Sequence, residues 1–119
     1  GKANYQYFRA HGVADHQLFF SPHAIDNDRF VRQADNAHQE AIGWKRELGI
    51  PAHHRVVLFA GKLIPKKRPL DLLQAFLAAN LAHTSLLFVG NGELEAELRT
   101  RAATHDQIYF APFQNQSQM

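Results

Sequence analysis

Two stretches decide how this chain folds: Val56-Val57-Leu58-Phe59-Ala60-Gly61 and Leu86-Leu87-Phe88-Val89-Gly90-Asn91-Gly92. Each is a continuous apolar run closed by glycine, and each leads into a segment with helical spacing. After Gly61, Pro69 opens a helix whose inner face is Leu70, Leu73, Phe76, Leu77 and Leu81. After Gly92, Leu94, Leu98 and Ala102 share one helical face, and Ile108-Tyr109-Phe110-Ala111 supplies a third apolar run. Strands that are apolar at every position, not at alternate ones, are covered on both faces. Strand–helix–strand repetition at this spacing gives right-handed crossovers and a parallel sheet. The expected class is α/β, a parallel sheet flanked by helices.

Upstream of these units, Ala37, Ala41, Trp44 and Leu48 fall at steps of four, three and four, which predicts a helix from about Ala34, ended by Gly49 and Pro51. The segment from Ser21 to Asp28 is rich in turn and cap formers and reads as a connector, with Asp26 or Asn27 capping a short helical turn that carries Phe30. Lys2 to His11 has a helical stripe in Tyr5 and Phe8 and is stopped by Gly12; Gln17-Leu18-Phe19-Phe20, halted by Ser21-Pro22, is expected to be a short buried strand. The chain starts on Gly1 inside a helix and ends in a polar loop, so we expect a piece incomplete at both ends.

With 119 residues, the chain is one domain or part of one. Its 13 basic and 11 acidic side chains give 13 − 11 = +2, too small an excess to indicate nucleic acid. A 45% hydrophobic and 11% aromatic content is that of a folded protein. The absence of cysteine excludes disulfides, thiolate zinc sites, iron–sulfur clusters and cysteine nucleophiles. No apolar run is long enough to cross a bilayer as a helix.

In an open parallel sheet, ligands bind at the carboxyl ends of the strands. The loop there after Ala60, Gly61-Lys62-Leu63-Ile64-Pro65-Lys66-Lys67-Arg68, holds four of the 13 basic residues just before the Pro69 helix. Cations beside a helix N-terminus oppose its dipole unless an anion sits among them, so this loop is an anion site or a solvated basic surface. The loop Gly90-Asn91-Gly92-Glu93 lacks the third glycine of a dinucleotide fingerprint and reads as a tight turn or a place of close backbone approach. Glu93, Glu95 and Glu97 suit the dipole at a helix start. The eight histidines lack metal-site spacing: His53 and His54 are adjacent, His38 is alone on a helix, and no His-x-x-x-His occurs. His23 is the one histidine in the connector. Ser21, Ser85 and Ser117 have no nucleophile-elbow context.

The run from Val57 to Pro69, then Leu72-Leu73-Gln74-Ala75-Phe76, then Leu86 to Leu94, resembles the start of the C-terminal domain of family 4 glycosyltransferases of the GT-B fold. Ser21 to Phe30 is similar to that family's passage between domains. The resemblance implies that residues 1–22 end an N-terminal Rossmann-like domain, that 23–54 form the interdomain connector and helix, and that 55–119 form the first half of a Rossmann-like nucleotide-sugar-binding domain. It places the donor diphosphate on Gly61, Lys62 and Lys67, whose charges would stabilise the leaving group. Nucleoside-side contacts would come from the loops holding Gly90, Gly92, Phe113 and Gln114. The family's paired-glutamate segment would lie beyond Met119.

What the resemblance implies is therefore a fragment of a retaining, metal-independent glycosyltransferase that takes a nucleoside-diphosphate sugar as donor substrate and no cofactor. The acceptor is unknown. The implied location is cytoplasmic, with peripheral membrane association of the full-length enzyme and no nucleic-acid partner. A non-catalytic α/β module that binds phosphate or nucleotide is the alternative. Nucleic-acid binding through Lys66-Lys67-Arg68 is disfavoured, because no long basic stripe interleaved with aromatics accompanies it.

Overall fold

Thr84–Val89 forms a strand in which every residue is buried, and the rest of the fold is arranged around it. The computed structural model describes residues 1–22 and 24–114, with side chains for all of these except 35 and 36. The elements are α1 (Lys2–Ala10), a 3-10 turn (Asp15–Gln17), α2 (Asn27–Glu47), β1 (Arg55–Ala60), a second 3-10 turn (Pro65–Lys67), α3 (Pro69–Ala79), β2 (Thr84–Val89), α4 (Glu95–Ala102) and β3 (Ile108–Ala111). The strands make a three-stranded parallel sheet in the order β1-β2-β3, with Phe59 beside Phe88 and Phe88 beside Phe110. The class is α/β with a Rossmann-like arrangement, as expected.

Because side chains alternate across a strand, β2 feeds two separate clusters. Leu86 and Phe88 face α3 and α4, where Leu73, Phe76 and Leu98 meet them and the loop residue Leu63 closes the cluster. The Phe88 and Phe110 rings stack at 5.4 Å. Leu87 and Val89 face the other way, onto Ile50, Trp44 and Leu48. Ile50 arrives there through the way α2 ends. The Gly49 N–H donates to the Arg46 carbonyl at 3.1 Å and the Ile50 N–H to the Lys45 carbonyl at 2.8 Å, with Gly49 at φ +74°. This paired helix-end bonding needs a left-handed residue, which glycine supplies at no steric cost, and it turns the next apolar residue onto the core.

The chain forms two compact units, Gly1–Gln33 and Ala34–Met119. Residues 34–54 of the expected connector therefore belong to the unit that contains the sheet. In the first unit, α1 has no buried residue. It is held to the following turn by the Tyr5 hydroxyl, which donates to Asp15 Oδ1 at 2.7 Å, and by an Arg9–Asp15 ion pair at 2.9 Å. Asp26 Oδ1 accepts the Arg29 N–H at 2.9 Å, the expected cap.

Four expectations are corrected. Gln17 to Phe20 is not a buried strand: the 3-10 turn takes Gln17, and Phe19 and Phe20 are exposed, because the first unit contains no strand among the described residues to pair with them. Helix α2 starts at Asn27, about two turns before Ala34, since the Asp26 cap nucleates it directly. Leu81 lies outside α3 and is exposed, because Asn80 at φ +42° ends the helix. Finally, β1 is covered on one face only. Val57 and Phe59 pack on the α3–α4 side, whereas Leu58 is 57% exposed on the other, where Trp44, Leu48 and Ile50 reach only β2 and β3.

Gly90 is at φ +141°, and a Cβ there would overlap the Gly61 carbonyl oxygen of the neighbouring loop. Gly90→Ala should therefore destabilise the chain by about 2 kcal/mol or more. Gly43, in the interior of α2 with open space around it, should accept alanine with a gain of roughly 0.5–1 kcal/mol. Urea denaturation of the two variants beside wild type checks both signs.

Candidate functional site

The backbone of the sheet continues past the strand ends and joins the two glycine loops. Gly61 N–H donates to the Val89 carbonyl at 2.9 Å, Leu63 N–H to Asn91 at 2.9 Å, and Leu94 N–H to Leu63 at 3.0 Å, while Gly90 N–H reaches Ala111 at 3.1 Å. With Leu63 anchored in the core at 1% exposure, Lys62 beside it is turned to solvent. The chain then makes the Pro65–Lys67 turn, in which Lys67 N–H donates to Ile64. Arg68 follows in a left-handed conformation (φ +53°) as the residue before Pro69, the first of α3.

The four cations of this loop are not equivalent. Arg68 is committed to Asp71, donating from Nε at 2.6 Å. Lys62, Lys66 and Lys67 are exposed and have no carboxylate partner among the described residues. No side chain caps the N-terminus of α3. The loop thus offers ammonium groups and free helix-end N–H groups together at the carboxyl end of a parallel sheet, the chemistry of an anion site.

The structure gives the second loop a packing role. Glycine is required at 90 because of Gly61, and a Cβ on Gly92 would overlap the Leu63 carbonyl oxygen, so both let the loops lie against each other. Phe113 is exposed, and Gln114 Nε2 donates to the Pro112 carbonyl at 3.3 Å. His23, Ser117 and the rest of the polar ending from residue 115 lie outside the described residues. Glu95 and Glu97 pair with Arg99 at 2.9 Å and Arg101 at 2.6 Å along the surface of α4.

The opposite end of the sheet holds a cluster that the local spacing of the histidines does not suggest. His53, His54 and His83 each offer one ring nitrogen, and these three atoms lie within 4.8 Å of one another. His83 directly precedes β2, and its carbonyl accepts the Arg55 N–H of β1 at 2.9 Å. Lys45 Nζ donates to the carbonyls of Ala52 at 2.9 Å and His54 at 2.7 Å, which fixes the loop before β1 to the end of α2. His54 Nδ1 and Ser85 Oγ share a hydrogen bond of 2.9 Å. Ser85 is fully buried, so this pair cannot present a nucleophile to a substrate. The signal was present in the sequence: His54 and His83 each stand seven residues before the glycine that closes their strand, and parallel register makes such positions neighbours.

No family model and no curated protein matches this chain. Among the described residues, no helix is long and apolar enough to cross a membrane.

The His54 imidazole is held below the ordinary histidine value, first by its partial burial and then by the positive charges of His53, His83 and Lys45. A depressed base stays neutral in the folded chain while the unfolded chain takes up a proton near pH 6.5. Stability from this group is therefore present above about pH 6.5 and is lost as pH falls through the folded value. In metal-free buffer, the NMR titration midpoint of His54 should lie below 6.5. The drop in urea midpoint between pH 7.5 and 5.5 should be smaller in His54→Gln than in wild type.

Proposed function

We propose that this chain is the donor-binding portion of a glycosyltransferase that uses a nucleoside-diphosphate sugar, with Lys62 and Lys67 on the diphosphate. What carries the reading is that Lys62, Lys66 and Lys67 are exposed and lack carboxylate partners among the described residues, in the loop that runs from the carboxyl end of β1 to α3; the family resemblance singles out Lys62 and Lys67. Transfer breaks the bond between the sugar and the diphosphate oxygen, and negative charge grows on the departing nucleoside diphosphate. Fixed cations near those oxygens lower the barrier because the charge they meet is larger in the transition state than in the bound donor. Gly61 lets the backbone approach the phosphates, and Arg68, neutralised by Asp71, contributes least. With the donor come a cytoplasmic location and, for the full-length enzyme, peripheral association with a membrane.

The alternative is a phosphate- or nucleotide-binding module without chemistry. It is favoured by one observation: the loop from Gly61 to Arg68 carries no carboxylate or histidine of its own, and Asp71 of α3, which reaches Arg68, is held in an ion pair. Both readings require the lysines to bind phosphate, and transfer of labelled sugar by the full-length protein separates them.

Each lysine should contribute a charge-assisted hydrogen bond of roughly 1.5–3 kcal/mol. Calorimetric titration of UDP, GDP and ADP should show Lys62→Ala and Lys67→Ala weakened about ten- to a hundredfold, with Lys66→Ala affected less and every loss smaller at higher salt. Equal affinities in wild type and all three variants would reduce the loop to a solvated surface.

A further inference from the structure

We propose that His53, His54 and His83 form a binding site for a divalent transition-metal ion of the zinc type, three imidazole nitrogens providing the ligands and water the remaining position. The site lies at the amino end of the sheet, away from the lysine loop, and does not depend on the reading given to that loop.

The geometry is close to what the ion requires. Ligand nitrogens in a tetrahedral zinc site stand about 3.3 Å apart, given Zn–N bonds of about 2.0–2.1 Å. Here they lie within 4.8 Å, with ring centroids 4.7, 5.2 and 6.0 Å apart. His53 and His83 are exposed, so their rings are free to rotate toward a shared ion. The backbone is already held: the Arg55–His83 bond joins the two loops, and Lys45 ties down the His54 carbonyl.

His54 has the outer partner that metal-bound histidines use. Its Nδ1 is bonded to the buried Ser85 Oγ, which leaves Nε2 as the ligand atom; in the bound state Nδ1–H donates to Ser85 and Nε2 carries the lone pair. The hollow beside the cluster is lined by His53, Arg55, Ala82, His83 and Thr84. Arg55 is exposed and free to turn its charge away, and the Lys45 ammonium is engaged by carbonyl oxygens. An ion here would cross-link the loop before β1 to the loop before β2.

The test is calorimetric titration of Zn2+ into the chelator-stripped chain, with visible absorption of the Co2+ form as a signature of coordination. Wild type should bind one ion per chain, and zinc should raise its melting temperature. His83 sits at φ +51°, so His83→Asn keeps a residue that tolerates this backbone while removing the imidazole. His83→Asn and His53→Gln should each weaken binding tenfold or more and abolish the melting shift while leaving the metal-free melting temperature unchanged. Ser85→Ala should weaken binding by about tenfold. His38→Gln and His105→Gln should bind as wild type does. Absence of saturable one-to-one zinc binding, or unchanged affinity in both His53→Gln and His83→Asn, would overturn the proposal.

Discussion

Burial of β2 on both faces is the constraint on which the other elements depend. A strand whose every residue is buried can donate and accept backbone hydrogen bonds only to strands on both sides, so β1 and β3 must flank it. Its alternate side chains then need two separate apolar layers, one from α3 and α4 and one from the end of α2. Each buried leucine or phenylalanine is worth about 1.5–3 kcal/mol, so Leu86, Leu87, Phe88 and Val89 together outweigh any surface ion pair in this chain. The exposed pairs of α4, Arg99–Glu95 and Arg101–Glu97, shape the helix surface and little more.

The same apolar pattern had a different outcome in β1. Its sequence, Val56 to Ala60, is as continuously hydrophobic as that of β2, yet Val56 and Leu58 remain open to solvent on one face. The difference is positional: β2 is central, whereas β1 is at the edge of the described sheet, beyond the reach of Trp44 and Ile50. Apolar pattern therefore states which faces a strand can bury, and topology decides which faces have something to bury against. The open face and unpaired edge of β1 together make the kind of surface on which strands associate.

The three strands, the helices after the first two, and the glycine ends of the strands were all legible in the sequence, because each rests on a local period or a local turn residue. The aromatic run at Leu18 to Phe20 misled for the same reason: it has the local signature of a strand but no partner in its unit among the described residues. At the candidate site, the basic loop could be found from composition and order alone. The pairing of Arg68 with Asp71, which singles out the three lysines, could not, since it depends on α3 starting at Pro69 and so bringing these two residues, three apart, together at the helix entrance. The demand for glycine at 90 and 92 was visible as residue type, but its cause, contact with the carbonyls of the first loop, exists only once the strands are in register.

Parallel register is also what links the two ends of the sheet. When two strand–glycine units pair side by side, every position of one unit acquires a neighbour at the same offset in the other. At the carboxyl end this brings Gly61 against Gly90 and joins Leu63 to Asn91 and Leu94, which sets Lys62 on a braced backbone. At the amino end the same offset brings His54 to His83, with Ser85 of β2 bonded to the His54 ring. A substitution that slipped β1 by one residue against β2 would turn Leu58 toward α3, expose Phe59, and separate both pairs of loops at once. Both clusters of charged and metal-ligating side chains therefore depend on the register of β1 against β2, in which Phe59 packs on Phe88 with ring centroids 5.6 Å apart, as well as on the hydrogen bonds that hold each loop.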